Sequence, residues 1–212
     1  MIRIDDVSKS YNGYTVLNKV NMHLLPGQII GFVGANGSGK SVLLKMICGF
    51  IQPDSGKIQV HGKNIGHDCD FPPHTGIMIE EPGFFDAYSA RQNLRLFAAH
   101  QKKISNQQID TLIQSVGLNP LDKKPVGKYS MGMRQRLCFA QAIMEEPDLL
   151  ILDEPFITID KQWSEWMRSQ VRSYASPNRL IILTSHYQDD INALCTCTYH
   201  FEDGQVNLVK SD

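Results

Sequence analysis

Gly34-Ala35-Asn36-Gly37-Ser38-Gly39-Lys40-Ser41 is a glycine-rich run that ends in a lysine and a hydroxyl. It meets the phosphate-loop pattern G-x-x-x-x-G-K-[ST] at every fixed position. Its glycines let the backbone wrap closely around a polyphosphate, and successive N–H groups then point at negative charge. Lys40 is expected to reach the β- and γ-phosphates and the Ser41 hydroxyl to hold Mg²⁺. Val42 follows them into a helix whose N-terminus adds its own positive end. Gly34, Asn36, Gly37, Ser38, Gly39, Lys40, Ser41 and Val42 are therefore expected to cradle a nucleoside triphosphate.

A second chemical element is Leu149-Leu150-Ile151-Leu152-Asp153-Glu154-Pro155. It puts two carboxylates at the carboxyl end of an apolar strand, where open α/β sheets bind ligands. Asp153 is expected to hold Mg²⁺ through water, and Glu154 to polarise an attacking water.

Both elements need a sheet behind them. Ile29 to Val33 reads as a buried strand before the loop, and Ser41 to Cys48 as a helix after it. Upstream, alternation over residues 2–9, the Asn12-Gly13 turn and renewed alternation from Tyr14 to Leu25 predict an antiparallel hairpin. Pro53-Asp54-Ser55-Gly56 marks a turn into a short strand, Lys57 to Val60. Gly76 to Ile79 reads as a strand ending at Glu80-Glu81-Pro82. The period then changes. Ser89 to Val116 is helical in two pieces, each opened by a capping-box pattern (Ser89 with Gln92, Ser105 with Gln108), and a third helix is expected from Met133 to Glu145. Residues 83–146 thus read as a helical insertion in an α/β chain. The α/β pattern resumes with the acidic strand, a helix over 161–175 with Asp160 as candidate N-cap, a strand from Arg179 to Thr184, and a last hairpin at Asp203-Gly204.

The chain has 212 residues, enough for one substantial domain, and a formal net charge of −1, which gives no global field favouring nucleic acid. No apolar run approaches the roughly 18–20 residues of a membrane span. Met1 to Asp6 lacks the shape of a signal peptide, so a cytoplasmic protein is expected. The five cysteines (Cys48, Cys69, Cys138, Cys195, Cys197) follow no framework spacing, and buried reduced thiols are expected.

Tyr129-Ser130-Met131-Gly132-Met133-Arg134-Gln135-Arg136 resembles the signature of the ABC ATPase family, usually Leu-Ser-Gly-Gly-Gln followed by x-Gln-Arg. Alone it would read as a helix start capped by Ser130; between the phosphate loop and the acidic strand it carries the resemblance, which spans nearly the whole chain. The resemblance implies a phosphate-loop sheet core with an N-terminal antiparallel β subdomain and an inserted helical subdomain, in one domain over 1–212. It implies that Tyr11 stacks on adenine, that His186 contacts the γ-phosphate, and that Asp160 belongs to the loop after the catalytic Glu154. It further implies that Ser130 and Gly132 contact the γ-phosphate held by a partner subunit, so that two ATPase subunits, as a homodimer or heterodimer, sandwich ATP. A separate transmembrane permease subunit is implied, with the protein peripheral on the inner face of the membrane. Its contact is expected near Glu80 and Phe84 to Arg91, where Phe84, Phe85 and Tyr88 read equally as docking surface and as core.

The chain departs from the family at Glu80, where a glutamine is usual, so the carboxylate is a candidate metal ligand; at Met131 and Met133; and at Thr158-Ile159 before Asp160. It looks most like the ATPases of bacitracin- and lantibiotic-type exporters. The alternative is a soluble ABC ATPase acting on ribosomes or DNA, which one ATPase domain without heptads or a basic patch does not favour.

Overall fold

In the computed structural model, residues 1–80, 83–101, 104–157 and 160–211 are described. Glu81, Pro82, Thr158 and Ile159, which enter the expectations above, lie outside them.

Alternation near the N-terminus builds an outer sheet. β1 (Ile2–Tyr11) pairs antiparallel with β2 (Tyr14–Leu24), from Ile2 opposite Leu24 to Tyr11 opposite Tyr14. Asn12 and Gly13 both take positive φ, 49° and 81°, as a tight hairpin turn with strand twist requires. β4 (Ser55–Val60) pairs with the other side of β1, and β5 (Lys63–Asn64) completes the order β2-β1-β4-β5. Ile2, Ile4, Val7, Leu17, Val20, Met22 and Leu24 form its buried face.

The central sheet contains β3 (Ile29–Gly34), β6 (Thr75–Met78), β7 (Leu149–Leu152), β8 (Leu180–Thr184), β9 (Cys197–Glu202) and β10 (Gln205–Ser211), in the order β10-β9-β3-β8-β7-β6. All neighbours are parallel except the edge pair β10 and β9. Strands buried on both faces need unbroken apolar sequence, which is why β7 and β8 read as continuous runs rather than alternations. Leu149, Ile151, Leu180 and Ile182 enter a core shared with β1, β2 and α1 (Lys40–Ile47). Leu150, Leu152, Ile181 and Leu183 enter a second core under the inserted helices.

Between β6 and β7 lie α2 (Ala90–Gln101), α3 (Asn106–Ser115) and α4 (Met131–Ile143). Both expected capping boxes form: Ser89 N donates to Gln92 Oε1 at 2.9 Å, and Ser105 and Gln108 cap each other reciprocally. α4 begins two residues earlier than its pattern suggests, because Ser130 Oγ accepts from Met133 N and caps it there. α4 also presses onto β6. A Cβ at Gly76 would collide with the Ala142 carbonyl, so only glycine fits this approach. After β7 come α5 (Lys161–Tyr174), capped by Asp160 as expected, and α6 (Gln188–Leu194), which the sequence reading does not contain.

All five cysteines are unbridged. Burial pushes the Cys48 and Cys195 thiols up to about 12, which keeps them protonated and unfit as ligands or nucleophiles. Among the described residues no cluster of three His, Cys, Asp or Glu side chains is placed to hold a metal ion.

The loop that opens the insertion is held from inside. Asn93, fully buried on α2, accepts from Phe85 N at 2.8 Å and donates to the carbonyls of Phe85, Tyr88 and Ser89 at 3.1–3.3 Å. Asn93→Ala would leave Phe85 N without this acceptor and take one bond from each of the Phe85, Tyr88 and Ser89 carbonyls, which keep their backbone donors. The expected loss is about 2 kcal/mol, or roughly 4–8 °C in Tm for a chain of this size. Thermal unfolding checks it, and an unchanged Tm would show that the loop is held elsewhere.

Candidate functional site

β8 lies between β3 and β7, and all three run parallel, so their carboxyl ends share one edge of the sheet. The phosphate loop leaves β3 there, Asp153 and Glu154 leave β7, and Ser185-His186 leave β8. Topology alone therefore gathers segments more than a hundred residues apart.

In the loop, Gly34, Gly37 and Gly39 take φ of 145°, 79° and 103°. Gly34 also passes so close to the Phe201 carbonyl that no side chain fits. Gly39 caps α1 without any side-chain hydrogen bond, so the first helical N–H groups have no capping side chain and suit an anion. Lys40 is 6% exposed, and its Nζ donates to the carbonyls of Gly34 and Ala35, both at 2.9 Å. Burial lowers the Lys40 pKa, while Glu154 and Asp153 pull it back up. Ser38 Oγ is buried with no hydrogen-bond partner, a polar atom waiting in a loop shaped for oxygen-rich anions. Ser41 and Val42, half-buried, open α1. Beside the loop a cavity of about 300 Å³ is lined by Tyr14, Val16, Asn36, Ser38, His200 and Gly204, among others. Tyr11 does not line it; it sits exposed at the hairpin tip opposite Tyr14, with Lys9 Nζ 5.4 Å from its ring. Tyr14 and Val16 went unremarked in the sequence because nothing in their spacing distinguishes them from ordinary strand residues.

At the end of β7, Asp153 N donates to Met78 O at 2.7 Å, and Asp153 Oδ1 accepts from Thr184 Oγ1 at 2.7 Å. Glu154 holds a left-handed backbone, φ 50°, and its Oε1 lies 3.0 Å from His186 Nε2. Burial raises the Glu154 pKa; His186 opposes the shift, Asp153 adds to it, and Lys40 opposes it. Gln135 Nε2 of α4 approaches the carbonyls of Glu154 and Pro155 at 3.4 Å each, a weak link from the signature-like segment to this turn.

His186 has its own support. Ser185 Oγ donates to Asp190 Oδ2 at 2.7 Å and accepts from Tyr187 N at 3.1 Å. Asp190 is fully buried on α6 and is paired with Arg168 Nε of α5 at 2.7 Å. A buried carboxylate needs such a partner. Its sequence signal, one of two adjacent aspartates in a polar stretch, was too ordinary to find.

The hydroxyl of Ser41 and the carboxylate of Asp153 are hard-oxygen donors of the kind Mg²⁺ takes, usually with waters and substrate phosphates completing the shell. Glu80 is placed differently. Its carboxylate bonds Lys45 Nζ of α1 and is 71% exposed. Ser130 and Asp160 each cap a helix, accepting from Met133 N and Trp163 N. The Gly132 carbonyl accepts from Arg136 Nε. These are contacts within the first turns of α4 and α5, away from the chain's own phosphate loop. The aromatic trio divides. Phe84 is core, edge-on to Phe97, whereas Phe85 and Tyr88 stack on each other in solvent, 57% and 41% exposed.

A phosphate loop, an acidic strand end and a histidine just past the end of the strand between them define a phosphate-loop nucleoside triphosphatase. Residues 17–157 match the family described as ABC transporter. The chain belongs to that family, as an ATP-binding subunit with ATPase activity. It is 35% identical over 206 residues to an uncharacterised ABC transporter ATP-binding protein of Bacillus subtilis, covering 97% of this chain and 94% of the other. It is 33% identical to a lantibiotic transport ATP-binding protein of Streptococcus pyogenes, covering 99% and 90%. It is 35% identical to a bacitracin transport ATP-binding protein of Bacillus licheniformis, covering 92% of this chain and 64% of that one. The fold matches a solved ATP-binding subunit of an ABC transporter with a TM-score of 0.89, at 23% identity, over 99% of this chain and 90% of the other. It also matches an ATP-binding cassette solved as a dimer in a post-hydrolysis state with ADP and Pi, with a TM-score of 0.87, at 17% identity, over 100% and 99%.

The contact between His186 and Glu154 gives a direct expectation. His186→Ala should slow single-turnover ATP hydrolysis by about 10²-fold, the lower range for losing a group engaged with a general base. ATP affinity should hold, because the phosphate loop is untouched. A wild-type single-turnover rate would mean that the contact has no part in chemistry.

Proposed function

We propose that this chain is the energy-coupling ATPase of an exporter, working as a nucleotide-sandwich dimer on a separate membrane subunit. The observation that carries the chemical part is Glu154 Oε1 lying 3.0 Å from His186 Nε2, at the sheet edge where Lys40 also sits. In this reading ATP and water give ADP and phosphate. Lys40 and the amides from Gly34 to Ser41 bind the phosphates, and Tyr11, with Tyr14 and Val16 nearby, takes the base. Glu154 orients the water and accepts its proton; burial favours that transfer by raising the basicity of the carboxylate. His186 holds Glu154 in place and meets the γ-phosphate. Mg²⁺, when bound by Ser41 and Asp153, neutralises phosphate charge.

The assembly follows from charge. Ser130 and Gly132 open α4 with an exposed N-terminus, and no bond ties them to their own loop. An ATP held by one subunit would meet this end of another, with Asp160 at the same seam. Loss of phosphate removes the bridging charge and lets the pair open. Supporting the exporter reading are the bacitracin and lantibiotic relatives. No helix among the described residues is long and apolar enough to cross a membrane. The membrane path in this reading belongs to a separate subunit, with this chain at the cytoplasmic face; what supports it is the naming of the relatives as transport ATP-binding proteins. The stacked Phe85–Tyr88 pair, beside Glu80 in the chain, is the surface offered to that partner.

Two experiments test these parts separately. Glu154→Gln should keep ATP affinity, lose about 10²–10⁴-fold in turnover, and accumulate an ATP-bound dimer visible by light scattering. Near-normal turnover would remove Glu154 from its role. For the shared site, Ser130→Arg subunits are mixed with Lys40→Ala subunits. Each homodimer lacks any intact site, whereas the mixed dimer has one. ATPase activity that appears only on mixing supports the shared site; full activity in the Ser130→Arg homodimer would leave Ser130 as a helix cap and nothing more.

A further inference from the structure

Thr184, the last residue of β8, is fully buried and touches both acidic residues with one hydroxyl. Its Oγ1 donates to Asp153 Oδ1 at 2.7 Å and accepts from Glu154 N at 2.8 Å. The direction of each bond follows from chemistry. An amide N–H only donates, so a hydroxyl lone pair receives it, and the single hydroxyl proton is left for the Asp153 oxygen. We propose that Thr184 is a positioning residue for hydrolysis, whose hydroxyl fixes the Asp153 carboxylate and the Glu154 backbone relative to each other. This rests on the roles of Asp153 and Glu154 given under the proposed function.

The need for such a clasp is visible in the backbone. Glu154 sits at φ 50°, a region that a non-glycine residue keeps only when its surroundings over-determine it. Among the described residues, the other bonds to this residue's backbone are long: Gln135 Nε2 at 3.4 Å and Ile157 N at 3.3 Å, both to the Glu154 carbonyl. Thr184 is itself held in the sheet. It pairs with Phe32 across β3, and its neighbour Leu183 pairs with Leu152 across β7. The hydroxyl therefore refers both acidic residues to the middle of the sheet, next to the strand that delivers the phosphate loop. The preceding sequence, Leu180-Ile181-Ile182-Leu183, marks Thr184 as just another strand residue; what sets it apart is that its one polar atom is doubly used.

The competing explanation is that Thr184 is a β-branched core residue whose hydroxyl merely finds the nearest partners. Thr184→Val keeps shape and strand preference but removes the hydroxyl, and Thr184→Ser keeps the hydroxyl but removes the branch. Both are measured in the full chain for kcat and KM, for Tm, and for ATP affinity in EDTA and in Mg²⁺. We expect Thr184→Val to lose about 10–100-fold in kcat, the usual effect of removing an outer partner of a ligating group. Its ATP affinity in EDTA should match wild type, and its gain in affinity on adding Mg²⁺ should be smaller. Thr184→Ser should recover most of the rate. The proposal is overturned by wild-type kcat in Thr184→Val, by a Mg²⁺ gain equal to wild type, or by Thr184→Ser being as slow as Thr184→Val. Should Thr184→Val fail to fold, Thr184→Ala takes its place in the same comparison. Failure of the underlying ATPase reading looks different: wild type itself would not hydrolyse ATP, or Glu154→Gln would hydrolyse it as fast.

Discussion

The constraint on which this structure depends is the crowding of negative charge at one edge of a buried sheet. Asp153 and Glu154 are adjacent carboxylates, and the phosphate loop beside them is shaped for a polyanion. Two unit charges 4 Å apart repel by about 4 kcal/mol at the effective dielectric of such a site. Lys40, the N-terminus of α1 and the hydroxyl of Thr184 offset that repulsion, and each is useful only if held in place. Loops could not do this. Parallel strands buried on both faces can, because every apolar residue of β7 and β8 belongs to one of the two cores. The sheet's apolar continuity and the site's charge are thus two sides of one requirement.

The inserted helices are tied together as one piece. Asn93 ties the opening loop to α2, Val126 N and Gly127 N bond the carbonyls of Tyr88 and Asp86, and Arg134 of α4 pairs with Asp86. The exposed Phe85–Tyr88 stack is therefore rigidly joined to the segment that begins with Ser130. A push on the stack would be delivered to the start of α4 rather than absorbed by a soft loop. At the other end, Arg136 lies over the Trp163 ring at 4.2 Å and bonds the Val116 and Gly117 carbonyls, so α3, α4 and the helix capped by Asp160 meet at one residue. α4 reaches the turn at Glu154 through Gln135, 3.4 Å from the carbonyls of Glu154 and Pro155.

What was legible in the sequence was what acts locally. The phosphate loop, both capping boxes, the hairpin at Asn12-Gly13 and the cap at Asp160 are short-range patterns with a backbone cause, and they stand in the structure where they were read. The alternation of helix and strand likewise placed the insertion between β6 and β7. What was not legible depends on which strands become neighbours. Thr184 meets Asp153 only because β8 lies beside β7, and Ser185 meets Asp190 only because seven residues of α6, too few for a periodic signal, fold back there. The split of Phe84 from Phe85 is of the same kind. Two identical residues in sequence part company when one faces α2 and the other water.

Glu80 shows how far a substitution can be read from geometry. As a candidate metal ligand it adds negative charge to an edge that already has too much. The structure relieves this by pairing its carboxylate with Lys45, four residues beyond Ser41 on α1. With Glu80 mostly in solvent, such a pair is worth about 0–1 kcal/mol, so it parks the charge without committing it. Glu80 itself holds φ 57°, at the point where β6 gives way to the insertion. The bond to Lys45 ties this point of the chain to α1, the helix that carries Lys40 and Ser41 of the phosphate loop. Position 80 thus joins the end of β6 to α1 by an ion pair.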